Sequence, residues 1–236
     1  PVLPAKKYYD GCGRYLIPGF IDTHVHVEST MMIPENLSRA ILPWGTTTIC
    51  TDPHEIGNVM GVKGVEFMLD NAKKSKLRQY VLAPSCVPSV PGLENAGAEF
   101  GAAEIGRLLD MDNVVGIAEI MDYVGVINDT ERMHSIIEEG VKRGMFLQGH
   151  APYCTGKELA AYLIGGPVSD HESVSEDEVR AKLRAGMHIN LRASSLIDSL
   201  SFLVDGCKDM PWRDFVSVCT DDVHAKDLLT VGHINK

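Results

Sequence analysis

Short β-branched runs alternate along this chain with amphipathic helical patterns, and this rhythm constrains the fold more than any other feature. Such alternation is typical of βα units that build a parallel sheet. The predicted strands are residues 16–22, 46–51, 80–83, 114–118, 145–148, 168–169 with their flanks, 187–191 and 215–219. The predicted helices between them include residues 61–74, 102–109, 130–143, 156–163, 175–185 and 194–204.

Eight parallel strands with helices outside predict an α/β fold that closes as a (β/α)8 TIM-type barrel of the metal-dependent hydrolase kind. An open, doubly wound sheet is the structural alternative. That fold predicts a glycine-rich phosphate loop after an early strand, and neither G-x-G-x-x-G nor G-x-x-x-x-G-K-[ST] occurs in the chain. The barrel is therefore preferred, with its active site at the carboxyl ends of the strands.

Charge and cysteine spacing narrow the class of protein. The 236 residues carry 32 acidic and 22 basic side chains, a net charge of −10, which disfavours nucleic acid and suits a small neutral substrate or a bound cation. Six widely spaced cysteines without a C-x-x-C pair indicate reduced thiols and a cytoplasmic protein. No apolar run reaches the roughly 18 residues of a membrane span.

The ends of the chain suggest a segment of a longer protein. There is no initiating Met, and the last residues resemble the start of another helix. We expect residues 1–15 to be a remnant of a β-sandwich or linker, and residues 16–236 to be a barrel truncated near its last helix. Apolar surface uncovered in this way is expected to favour a homo-oligomer.

Polar side chains with metal-binding chemistry follow the predicted strands. His24 and His26 end the first strand, and residues two apart on a strand point the same way, so both imidazoles can reach one cation. The other strand ends carry Asp52, His54 and Glu55 (strand two), Glu119 (four), His150 (five), His171 and Glu172 (six), Arg192 (seven), and Asp221 and Asp222 (eight).

A single histidine at a strand end is more often structural than a metal ligand. Several histidines and carboxylates at the same rim favour the metal-ligand interpretation instead. Four histidines and two carboxylates at one rim favour zinc, iron or manganese, and provide enough ligands for two ions about 3.5–4 Å apart. His54 and Glu55, Glu28 with Ser29, and Glu172 stay open between contact with substrate or a metal and a structural role. The remaining histidines, interpreted as surface or packing residues, are His134, His188, His224 and His233.

Several motifs carry a family resemblance. Residues 18–26, PGFIDTHVH, resemble the first-strand motif of the amidohydrolase superfamily. From about Tyr15 to the end, further blocks resemble the adenine deaminases of that superfamily, and the D-P-H-E-I-x-N block is far more specific than H-x-H. These blocks are HVHVEST (24–30), LPWGTTT (42–48), DPHEIGN (52–58), QGHAP (148–152), GKEL (156–159), SDHE (169–172) and TDD (220–222).

By this resemblance, His24 and His26 would hold one metal and His150 and His171 the other. Asp221 would ligate the first metal and act in catalysis. Glu119 would bridge the metals where many superfamily members use a carboxylated lysine, and no lysine lies near it in the sequence.

The resemblance implies hydrolysis of adenine to hypoxanthine and ammonia in purine salvage or adenine catabolism, with manganese or iron favoured over zinc. The residues within reach of the base would be Glu28, His54, Glu55, Glu172 and Arg192. Arg192-Ala-Ser-Ser195 departs from the R-E-G-S expected after strand seven, which bears on substrate contact. The alternatives are a hydrolase of cyclic amides or ureides, like dihydroorotase or hydantoinase, and a truncated barrel without catalysis.

Overall fold

The computed structural model describes residues 3–236, in which strands and helices alternate. The strands are β1 (Phe20–Val25), β2 (Thr46–Thr51), β3 (Arg78–Ala83), β4 (Val114–Ile120), β5 (Phe146–Gly149), β6 (Ser169–Asp170), β7 (His188–Arg192) and β8 (Val216–Cys219). The helices are α1 (Pro34–Ile41), α2 (His54–Met60), α3 (Val62–Ala72), α4 (Ala102–Leu109), α5 (Tyr123–Ile127), α6 (Glu131–Lys142), α7 (Gly156–Ile164), α8 (Glu176–Arg184), α9 (Leu200–Cys207) and α10 (Ala225–Thr230). Short 3₁₀ turns cover Glu28–Thr30, Leu42–Trp44 and Arg213–Phe215.

All neighbouring strands are parallel and follow chain order, as β1-β2-β3-β4-β5 and β6-β7-β8. Two backbone seams join these sheets. At the first, the Val168 amide donates to the Leu147 carbonyl at 3.1 Å. At the second, Asp221 bridges to Val25, and its amide donates to the His24 carbonyl at 2.9 Å. The strands therefore close on themselves, which confirms the predicted barrel.

The apolar core lies between the strands and the outer helices. On α4, Ile105, Leu108 and Leu109 share one helical face and are buried, as the periodicity predicts. At the first seam β5 and β6 approach so closely that a Cβ at Gly149 would lie 2.1 Å from the Ser169 carbonyl oxygen. Only glycine fits there, because any side chain would push the strands apart.

The observed boundaries correct several predictions. The first strand begins at Phe20, not at residue 16, because Leu16 and Ile17 are exposed and pair with no strand. Helix α3 (Val62–Ala72) lies within the predicted helix 61–74, and Gly61, at φ 63°, separates it from α2. Helix α9 begins at Leu200 rather than 194. Helices α1, α2, α5 and α10 were not predicted. Of these, α2, α5 and α10 have at most seven residues, which is less than two full turns and too short to show a clear 3.6-residue period.

Residues 3–19 contain no helix or strand, and residues 1 and 2 lie outside the described range. Their assignment to a β-sandwich or linker therefore stays a prediction. Across residues 3–236, every helix is too short or too polar to span a lipid bilayer.

Candidate metal centre

The end of β1 places two imidazoles against each other in the barrel mouth. His24 and His26 are buried, and their Nε2 atoms lie 3.1 Å apart. The Nδ1 atom of His26 donates to the Asp52 backbone carbonyl at 3.0 Å. This bond fixes the tautomer that directs the Nε2 lone pair of His26 into the mouth, as in metal-binding histidines.

The carboxylate of Glu119, at the end of β4, is shared between two pairs of imidazoles. Its Oε1 atom lies 3.1 Å from His24 Nε2 and 2.9 Å from His26 Nε2. Its Oε2 atom contacts His150 Nδ1 and lies 3.5 Å from His171 Nε2. One oxygen therefore faces each pair, which is the arrangement expected of a bridging carboxylate.

The second pair comes from the ends of β5 and β6. The His171 ring stacks on the His24 ring with centroids 4.2 Å apart, and the His150 ring meets His171 edge-on at 5.2 Å. Burial lowers the pKa of His171, and the nearby charge of His24 lowers it further. A neutral imidazole is the form that binds metal.

Asp221 follows β8 and reaches the first pair. Its backbone amide and carbonyl bond to the backbone of His24 and His26, and its φ of 59° places it in the left-handed region. This sparsely populated conformation directs the side chain inward. Oδ1 lies 3.5 Å from His24 Nε2 and 3.1 Å from His26 Nε2, while Oδ2 accepts from Arg192 at 2.9 Å.

We call these six side chains the rim cluster: His24, His26, Glu119, His150, His171 and Asp221. Burial alone would raise the pKa of the Glu119 carboxyl, but the surrounding imidazoles hold it well below its ordinary value. Burial alone would lower the pKa of His24, but Glu119 and Asp221 raise it to about 9. Burial alone would also raise the pKa of Asp221, but its contacts with His24 and His26 hold it below its ordinary value, so both carboxyl groups are anionic in the cluster.

The rim cluster fits divalent cations. Donors about 2.0–2.1 Å from one ion lie roughly 3.0–3.4 Å from each other, and the contacts among His24, His26, Glu119 and Asp221 fall close to that range. Glu119 Oε1 and His171 Nε2 are buried without a hydrogen-bond partner. Because unpaired buried polar atoms are unfavourable, a cation beside each of these atoms would satisfy both.

Three of the five residues predicted to contact substrate, Glu28, His54 and Glu55, lie on one side of the cluster. His54 is the first residue of α2 rather than a strand end, and its Nδ1 atom donates to Asp52 Oδ2 at 3.0 Å. Glu55 Oε2 lies 3.7 Å from His26 Nδ1. Burial, with the charge of Glu55, raises the pKa of Glu28 to about 8.

Arg192 and Glu172 lie on the opposite side and contact each other. The buried guanidinium of Arg192 binds both Glu172 and Asp221, so it joins the ends of β6 and β8. The sequence predicted Arg192 and Glu172 as contacts to substrate and did not predict that they contact each other. Arg192 holds two carboxylates in place, and its contact with substrate stays a prediction.

The sequence did not assign Asp52 or Asp222 to the site, and it left Ser29 open beside Glu28. Asp52 is fully buried and holds both His26 and His54. The Ser29 hydroxyl donates to Asp222 and, at 3.4 Å, to Glu55. Asp52 and Asp222 stand inside the D-P-H-E and T-D-D motifs, and this position was the available signal.

The other histidines lie away from the rim cluster. His134 is an exposed residue that pairs with Asp129, His188 contacts Ser217 at the start of β7, and His224 precedes α10. His233 is fully buried and bonds to Thr46. None of these four joins a group of possible metal ligands among residues 3–236.

Comparison with known proteins decides the family. The Amidohydrolase family model matches residues 15–229, nearly the whole chain. The chain belongs to the amidohydrolase family. The crystal structure of an amidohydrolase covers 97% of this chain and 73% of its own, with a TM-score of 0.53 and 16% identity, which agrees in fold with the family assignment.

Three relatives that are similar to this chain over most of its length are named adenine deaminases. "Adenine deaminase 2" of Rhizobium meliloti (strain 1021) is 46% identical over 98% of this chain and 39% of its own length. "Adenine deaminase" of Klebsiella pneumoniae (strain 342) is 44% identical over 94% of this chain and 37% of its own length. "Adenine deaminase 2" of Carboxydothermus hydrogenoformans is 41% identical over 98% of this chain and 40% of its own length. The chain therefore spans about two fifths of these relatives.

Proposed function

We propose that this amidohydrolase hydrolyses adenine to hypoxanthine and ammonia at the rim cluster. The observation that carries the proposal is Glu119, a carboxylate whose two oxygens face two separate imidazole pairs. Relatives at 41–46% identity carry the name adenine deaminase, which supports the choice of substrate. An ordinary carboxylate at this position also disfavours the cyclic-amide hydrolases, which usually have a carboxylated lysine there.

The residues fit two divalent cations, manganese, iron or zinc. In this proposal His24, His26 and Asp221 hold one, and His150 and His171 the other. Glu119 contributes one oxygen to each side. When bound, such a pair of cations supplies a water molecule whose pKa is lowered towards neutrality.

Asp221 moves the protons in the proposed reaction. Its carboxylate accepts a proton as the water oxygen bonds to C6 of adenine, which gives a tetrahedral carbon, and passes that proton to ring nitrogen or to the amine. The second water proton goes to the other of these positions, the C6–N6 bond breaks, and ammonia leaves while C6 becomes a carbonyl. One carboxylate acts as base and then as acid, because each turnover returns it to its starting form. Arg192, bound to Oδ2, leaves Oδ1 facing the cluster.

Glu28, His54 and Glu55 are proposed to contact the base. The Glu55 carboxylate is an acceptor, and Glu28, whose pKa is raised to about 8, is mainly protonated at neutral pH and offers its carbonyl oxygen as an acceptor. Adenine presents N–H donors at its amine and at its five-membered ring. A site built from such acceptors discriminates against bases that lack those donors. Glu172 is proposed to contribute from the opposite side, where Arg192 orients it.

The test is release of ammonia from adenine by the intact 236-residue chain, loaded separately with manganese, iron and zinc. We expect hypoxanthine and ammonia in equal amounts with at least one metal, and no product after chelation. Dihydroorotate and hydantoin serve as matched substrates for the cyclic-amide alternative. Two bound metals with turnover of a cyclic amide and none of adenine would overturn the assignment. Binding of no metal would support a non-catalytic barrel.

Three further properties are proposed with the function. Six free thiols are consistent with a cytoplasmic setting. Production of hypoxanthine places the reaction in purine salvage or adenine catabolism. Exposed apolar side chains such as Leu16 and Ile164 favour self-association.

A further inference from the structure

A lysine lies directly behind the second imidazole pair. Lys182 on α8 is fully buried, and its Nζ atom contacts the Ala151 carbonyl at 2.7 Å and Asp170 Oδ2 at 2.9 Å. It also contacts Glu178 Oε1 at 2.6 Å and the Ser173 hydroxyl at 3.3 Å. Burial of an ammonium group is unfavourable unless the group is paired and hydrogen-bonded. These four contacts therefore fix the position of the Lys182 ammonium group.

The partners of Lys182 stand beside metal-ligand candidates. Ala151 follows His150, and Asp170 precedes His171. Asp170 Oδ1 accepts from the Ala151 amide at 2.9 Å, and Lys182 donates to the carbonyl of the same residue. Both backbone polar groups of Ala151 are therefore held, and the ends of β5 and β6 are joined through one carboxylate and one ammonium group.

Helix α8 anchors this connection. The Ser175 hydroxyl accepts from the Glu178 amide at 3.2 Å, and Glu178 Oε2 accepts from the Val174 amide at 3.1 Å. Glu178 thus caps the helix with one oxygen and binds Lys182 with the other. The position of Lys182 along the rim is therefore set by the helix N-terminus, and not by a mobile side chain alone.

The first imidazole pair has no comparable dependence on Lys182. His24 and His26 lie two residues apart on β1, and His26 is held by the Asp52 carbonyl. His150 and His171 come from different strands, and each needs its own strand end in register. Without Lys182, the buried charge of Asp170 would lose its cation, and the β5 and β6 ends would be free to separate.

We propose that Lys182 is a positioning residue that holds His150 and His171 in register for the second metal. The inference rests on the proposed function, because it assumes a metal on each side of Glu119. Loss of Lys182 should weaken the metal at His150 and His171 selectively. Partners that orient metal ligands change affinity by about 10–100-fold when removed.

The experiment titrates Mn²⁺ into the wild-type chain and into Lys182→Met, with a competing chelator, and records the electron paramagnetic resonance spectrum. We expect two tight equivalents and a spin-coupled pair in the wild type. In Lys182→Met we expect one tight equivalent, a second weakened by about 10–100-fold, and the signal of isolated Mn²⁺. Leu183→Ala is the matched control, since Leu183 is buried on the same helix but packs against the core near α9.

Ser173→Ala is a milder variant for the case in which Lys182→Met does not fold. Ser173 bonds to Asp170 at 2.7 Å, so its loss should weaken only the second equivalent, by about 3–10-fold, below the range for removal of a principal ligand-orienting partner. Unchanged second-site affinity in the folded Lys182→Met chain would overturn the proposal and leave the metal pair intact. If Lys182→Met is unfolded, unchanged affinity for the second metal in Ser173→Ala would overturn the proposal. Fewer than two equivalents in the wild type would contradict the metal pair itself.

Discussion

Asp221→Asn is expected to lower kcat for adenine by about 10²–10⁴-fold, the range associated with a positioned general acid or base. The amide cannot accept and return a proton as the carboxylate does. It also cannot both accept from Arg192 and present an oxygen to His24 and His26. Because His24, His26 and Glu119 remain, we expect metal content to persist in large part at saturating metal.

The measurement for Asp221→Asn is steady-state ammonia release, with metal content determined on the same sample. Asp214→Asn is the matched control, since Asp214 is an exposed aspartate just before β8. The control should keep wild-type rate and metal content. Full activity in Asp221→Asn would remove Asp221 from the proton-transfer role.

Glu119→Gln is expected to have the second large effect, a fall to fewer than two bound metals and a loss of turnover of about 10³-fold or more, by analogy with removal of other charge-stabilising groups. Glutamine keeps the size of the side chain but offers one neutral oxygen, so it cannot serve both imidazole pairs. The negative charge that offsets two cations in a buried site is also lost.

Metal analysis by mass spectrometry and the ammonia assay together check the Glu119 prediction. Glu138→Gln on α6 is the control, because Glu138 is half exposed and pairs with Lys142 on the protein surface. Two tightly held metals and a turnover near that of wild type in Glu119→Gln would show that the carboxylate does not bridge.

Much of the fold was readable from the sequence because its signals are local. All eight strands were located, and β2 was predicted with its observed boundaries. The start of β1 was not, since apolar character at Leu16 and Ile17 does not reveal that no neighbouring strand pairs with them. Pairing depends on the register between β1 and β2, which begins at Phe20 and Thr46.

The rim cluster was predictable because parallel strands present their carboxyl ends at one face of a barrel. That rule places His24 and Glu119 in one mouth although 95 positions separate them in the numbering. The rule does not specify which side chains contact each other within the mouth of the barrel. The contacts of Arg192 with Glu172 and Asp221, and of Lys182 with Asp170, depend on how side chains pack after the barrel closes.

His54 and Glu55 show a different limit. The sequence placed them at a strand end, whereas α2 begins at His54 directly after Pro53. A proline at the beginning of a helix is common, and this signal was present in the D-P-H-E motif. The helix directs Glu55 towards His26 and Ser29, so the motif builds one wall of the site.

Anomalous diffraction from crystals of the manganese-loaded chain tests the central claim most directly. We expect two peaks about 3.5–4 Å apart, one beside His24 and His26, the other beside His150 and His171, with Glu119 between them. A single peak, or peaks that touch only one imidazole pair, would contradict the binuclear centre and the deaminase chemistry built on it.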